Sequence, residues 1–72
     1  MNPGQKAIIT ELPVGFLDDL PKEDQKAILD IVGKPIRFVG FDDFGQAELE
    51  FRESNGTLHF IYVASKFIRP AK

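Results

Sequence analysis

Seventy-two residues, a net charge of −2 and no cysteine already exclude several classes of protein. A chain of this length makes one small domain whose core supplies roughly 3–5 kcal/mol of net stability, too little bulk to enclose a deep active site. Disulfides and thiolate metal sites are ruled out, and no run approaches the ~20 apolar residues that a membrane helix needs.

The opening Met1-Asn2-Pro3-Gly4-Gln5-Lys6 lacks the basic-then-apolar pattern of a secretory signal. A soluble protein of the cytoplasm is therefore expected, with no membrane association. Residues 7–12, Ala-Ile-Ile-Thr-Glu-Leu, form a short β-prone run stopped by Pro13 and predict a first strand. Phe16, Leu17 and Leu20 follow at the spacing of a helical turn. Pro21 to Val32 predicts the one helix: Pro21 suits the first helical position, and Glu23 and Asp24 face the positive end of the dipole. Ala27, Ile28, Ile31 and Val32 make its apolar stripe. Gly33 supplies a left-handed closing residue, and Pro35 prevents resumption.

Three alternating runs come next, about 35–41, 46–52 and 57–63, joined by Asp42-Asp43-Phe44-Gly45 and Glu53-Ser54-Asn55-Gly56. Period-two alternation broken by Asp/Asn-rich turns ending in glycine is the signature of an antiparallel meander. The middle strand is one-sided: Ala47, Leu49 and Phe51 oppose Gln46, Glu48, Glu50 and Arg52. Its neighbours are apolar on both faces. Ile36 and Phe38 oppose Val39 and Phe41, while His59, Ile61 and Val63 oppose Leu58, Phe60 and Tyr62. Such strands are covered twice or carry an exposed apolar patch, and the helix is expected to cover part of the second face. Gly40 marks a bulge or bend. After a tight or 3₁₀ turn at Ala64-Ser65-Lys66, residues 67–69 form a last strand ended by Pro70.

Gly33 to Val63, with the closing Phe67-Ile68-Arg69-Pro70, resembles a Src-homology-3-like or Tudor-like small barrel. The resemblance implies a mainly β fold: a five-stranded antiparallel barrel with the helix in its long first loop, residues 13–33. The chain also resembles a family of small bacterial proteins sharing a Leu-Pro…Leu-Pro segment, a helix and a Gly-x-Val-His-x-Ile-Trp-Val-like strand. Here that strand reads Gly56-Thr57-Leu58-His59-Phe60-Ile61-Tyr62-Val63, and the likeness implies no activity. In peptide-binding barrels, aromatics near the last 3₁₀ turn form the groove, which places Phe67 and Tyr62 in that part. The chain lacks the acidic, Tyr-rich first loop and the Trp of proline-rich-peptide binders.

No catalytic set is legible. His59 is the only histidine and stands without a nucleophile; it reads as a strand residue at the rim of the core, bonded to a backbone or turn group. Asp42 and Asp43 read as Asx-turn formers rather than cation ligands. Gly40, Gly45 and Gly56 do not form a phosphate loop, since none opens a helix. No cofactor or metal is expected. The surplus of aromatics points instead to a partner surface, with Phe44 on its turn tip, Tyr62, Phe67 and Arg69 as the expected binding residues. The expected function is a non-enzymatic module that docks a protein partner or forms a homodimer through exposed aromatics and a sheet edge. The alternative is a nucleic-acid- or ribosome-associated barrel using Lys34, Arg37, Lys66, Arg69 and Lys72, disfavoured by the net charge.

Overall fold

The computed structural model describes residues 1–71, so Lys72 lies outside the described residues. The chain is mainly β, with a single helix. Strand β1 spans Lys6–Ile9, helix α1 Lys22–Ile31, β2 Ile36–Phe41, β3 Gln46–Arg52, β4 Leu58–Ala64 and β5 Ile68–Pro70, with a 3₁₀ turn at Ser65–Phe67 between the last two strands. All pairings are antiparallel, and the five strands form one sheet in the order β4-β3-β2-β1-β5.

That sheet is curled by necessity. Four inter-strand steps separate β4 from β5, about 19 Å in a flat sheet at ~4.8 Å per step. Yet only Ser65–Phe67 link Ala64 to Ile68, a reach of at most about 14 Å at ~3.6 Å per residue. No ladder joins β4 to β5 among the described residues, so the sheet is curled but open, and the expected closed barrel is not reached.

The inner, concave face holds the core. Ala7, Ile9, Ile36, Phe38, Ala47, Leu49, Phe51, Ile61 and Val63 of the strands pack with Ala27 and Ile28 of α1. Leu12, Phe16, Leu17 and Leu20 close one side from the loop before the helix. That loop is a series of turns, Phe16 N–H to Pro13, Asp18 N–H to Gly15 and Leu20 N–H to Leu17, not a helical turn. The helix begins one residue later than expected, with Pro21 as its extended N-cap. It ends at Ile31, one residue earlier than expected, with Val32 as its extended C-cap. Gly33, at φ 85°, is not the cap but sits in the turn that follows, where Lys34 N–H donates to the Ile31 carbonyl and Gly33 N–H to that of Ile9.

Three expectations are corrected. The first strand ends at Ile9, not residue 12, because its outer partner β5 is short: past the Ile9–Ile68 pair, Thr10 N–H instead donates to the Phe67 carbonyl at 2.8 Å. The last strand starts at Ile68 rather than 67, because Phe67 belongs to the 3₁₀ turn. In β2 the register slips between Phe38 and Gly40, where Phe38 pairs with Leu49 but Gly40 with Glu48. This is the bulge that Gly40 suggested. It returns Phe41 to the face of Phe38 rather than the opposite one.

Candidate functional site

The surface that stands out is the free edge of β4. Glu53 N–H donates to the Thr57 carbonyl at 2.8 Å, which makes Glu53–Thr57 a hydrogen-bonded pair and sets the phase of the ladder. Hydrogen-bonded and non-bonded pairs alternate along antiparallel strands. His59, Ile61 and Val63 therefore bond to Phe51, Leu49 and Ala47, while Leu58, Phe60 and Tyr62 sit opposite Arg52, Glu50 and Glu48 in non-bonded pairs. Their N–H and C=O groups point away from β3. Since β4 ends the sheet, these groups meet no strand among the described residues.

The same three residues turn their side chains to the outer face, because side-chain direction and hydrogen-bonding phase both have period two. Leu58 is 39% exposed, Phe60 51% and Tyr62 44%. α1 packs its buried Ala27 and Ile28 on the concave face, leaving Phe60 and Tyr62 half exposed here, while Leu58 borders a cavity that it shares with Ile31 at the end of α1. Beside the stripe, β3 lays Arg52, Glu50 and Glu48, and Glu50 reaches Arg37 of β2 at 3.7 Å. The result is an apolar edge with a polar border, the composition of a recognition surface.

The four binding residues expected from sequence are spread out. Tyr62 lies on the β4 stripe. Phe44 is 89% exposed at the β2–β3 turn tip, held by Asp42, whose Oδ1 accepts the N–H groups of Phe44 and Gln46 at 2.9 and 2.8 Å. That is the Asx-turn role expected of Asp42. Phe67 is half-buried in the 3₁₀ turn, with the Lys66 ammonium 5.2 Å from its ring centre. Arg69 is on β5, at the opposite end of the ladder, paired with Ile8. The residues missed were Phe60 and Leu58. Period two placed them with Tyr62, but the strand order that makes β4 an edge was not legible.

His59 stands at the rim of the core, as read from sequence. Its Nε2 is 2.5 Å from Glu53 Oε2, and its ring stacks on Phe51 at 4.9 Å between centres. The pair fastens the β3–β4 turn, together with Asn55 Oδ1 accepting Thr57 N–H and Arg52 donating to the Gly56 carbonyl.

A second feature is a cavity of about 320 Å³ where the end of α1 meets β2 and β3, with Lys6 of β1 and Leu58 of β4 at its margins. Lys6, Lys34, Arg37 and Arg52 line it against the single carboxylate of Glu50, over Ile36 and Phe51. A neighbouring cavity of about 190 Å³ shares Lys34 and Arg52 but sets Asp30 and Glu53 against them, so only the first carries a positive excess. Of the basic residues expected to act together, Lys34 and Arg37 meet here. Lys66 and Arg69 do not line it, and Lys72 falls outside the described residues. No family model matches the chain, and comparison with curated proteins and with solved structures finds no match.

Proposed function

We propose that this protein is a non-enzymatic binding module that docks a protein partner on the β4 edge, with Phe60 and Tyr62 as anchors and Leu58 beside them. One observation carries the reading: the residues with outward-facing backbone groups are also those with exposed apolar side chains. An incoming strand gains main-chain hydrogen bonds from the edge and side-chain contacts from the stripe, the division of labour of strand addition. Further support comes from what β4 lacks. Exposed edges are usually blunted by Lys, Pro or short length, yet this one runs seven residues with no Asp, Glu, Lys, Arg or Pro. The other edge, β5, is three residues long and ends in Pro70. The scaffold reads as a partly open small barrel of the Src-homology-3-like kind, a view supported by the curl of the sheet and by the 3₁₀ turn that leads into β5.

Selection of peptides from a displayed random library, with the immobilised chain as bait, tests this. Edge-docked peptides protect the Leu58, Phe60 and Tyr62 amides from hydrogen exchange and are released by Phe60→Lys. Peptides that bind Phe60→Lys equally well would defeat the proposal.

A second reading, nucleic-acid association, is favoured by one observation, the four basic side chains around a single cavity. Its mark would be an affinity that falls steeply with salt.

A further inference from the structure

We infer that the occupant of the β4 edge is a second copy of this chain, paired antiparallel through β4 about a two-fold axis at Phe60. The inference rests on the edge-docking reading above and names its partner. The β4 edge is self-complementary. An isologous interface needs one patch to match itself, and an antiparallel strand pair does so whenever outward-facing residues oppose outward-facing residues. Centred on Phe60, the two-fold sets Phe60 opposite Phe60 of the second copy, and Leu58 opposite Tyr62 twice. Leu58, Phe60 and Tyr62 then all find backbone partners in closely spaced hydrogen-bonded pairs. Centring on Ile61 would instead oppose Leu58 to Ala64, the residue that caps the 3₁₀ turn.

Charge agrees with the Phe60 axis. The strand itself carries none of Asp, Glu, Lys or Arg, so two copies of a chain with net charge −2 meet here without like charges in contact. Arg52 flanks Leu58 on β3 and Glu48 flanks Tyr62. The two-fold therefore brackets each Leu58–Tyr62 pair with an arginine on one side and a glutamate on the other. Glu50, which flanks Phe60, is tied to Arg37 within its own copy. On the outer face, the new sheet joins two apolar stripes into one.

Because the chain has no cysteine, single substitutions report the register directly. Residues in such a hydrogen-bonded pair have Cα atoms ~5.5 Å apart and Cβ atoms up to ~5.5 Å apart, too wide for an unstrained direct disulfide but within reach of a short thiol-to-thiol reagent. With a short bis-methanethiosulfonate reagent, Phe60→Cys should cross-link to itself. Tyr62→Cys should do so only when mixed with Leu58→Cys, and Phe44→Cys, on its distant turn tip, reports random collision. Sedimentation of the unmodified chain from micromolar to millimolar concentration should show a dimer that Phe60→Lys converts to a monomer. Cross-linking of Phe60→Cys no faster than Phe44→Cys, or a wild-type monomer throughout, overturns the inference. A monomer whose β4 amides are protected by a selected peptide overturns the dimer and leaves the docking edge standing, whereas a monomer that selects no such peptide removes both.

Discussion

Phe41 packs edge-on against Phe38, ring centres 5.1 Å apart and planes at 66°, although the two residues are three apart on one strand. In an unbroken strand, residues three apart face opposite ways. The extra residue at the Val39–Gly40 bulge restores a common face, as bulges do when they re-aim a side chain. The two rings are nonetheless unequal: Phe38 is 1% exposed and Phe41 55%.

Phe38→Ala empties the centre of the core and should cost about 3–5 kcal/mol. With only ~3–5 kcal/mol available to a domain of this size, the variant should be largely unfolded at 25 °C by circular dichroism. Phe41→Ala removes only a partial cover and should cost about 1 kcal/mol, lowering the melting midpoint by roughly 4–8 °C. Equal losses in the two variants would contradict the bulged register.

The bulge also marks what could be read from the chain and what could not. The helix, the meander and both turns follow from local chemistry: Gly33 at φ 85° and Gly45 at φ 79° occupy conformations that other residues avoid, and Asp42 binds its own turn. The inner face of β3 was equally plain, since Ala47, Leu49 and Phe51 alternate with polar residues. Strand order is a long-range property. Nothing near Tyr62 in the sequence says that β4 has a neighbour on one side only, or that α1 packs on the concave face and leaves Phe60 and Tyr62 half exposed. Phe60 therefore did not stand apart from the other aromatics. Lys6 and Arg52 escaped notice for the same reason, as they join Lys34 and Arg37 only through pairing between distant strands.

The β4 stripe should be dispensable for folding. Phe60 and Tyr62 are each about half exposed, so Phe60→Ala and Tyr62→Ala should each change stability by less than about 1 kcal/mol in urea titrations. The same substitutions should weaken partner binding at least tenfold, as anchor truncations do. Loss of stability by several kcal/mol in either would place these rings in the core.

The His59–Glu53 contact makes a separate prediction for the β3–β4 turn. His59→Ala removes both the hydrogen bond and the ring stacked on Phe51, and should cost about 1–2 kcal/mol. Glu53→Gln keeps a hydrogen-bonding partner for the ring and should cost less. Faster hydrogen exchange confined to the Arg52–Leu58 end of the hairpin would confirm that the pair acts locally. Uniform loss of protection throughout the sheet would assign it to the core instead.

Anion binding, if it is detected, should localise to one place. Lys6, Lys34, Arg37 and Arg52 surround the same cavity with one carboxylate among them, and of the four only Arg37 is in an ion pair within 4.0 Å among the described residues. Backbone-amide titration with inorganic phosphate or a short single-stranded oligonucleotide should therefore shift the signals of Lys6, Lys34, Arg37 and Arg52. Lys34→Glu, an exposed substitution, should weaken those shifts severalfold, because it both removes a cation and places a second carboxylate beside Glu50. Lys66→Glu on the 3₁₀ turn should leave them intact. Bound phosphates release counterions in proportion to the charges neutralised, so the oligonucleotide should also bind with a shallower salt dependence after Lys34→Glu. Equal effects of the two substitutions would mean that net charge alone governs binding, and would remove the cavity as a site.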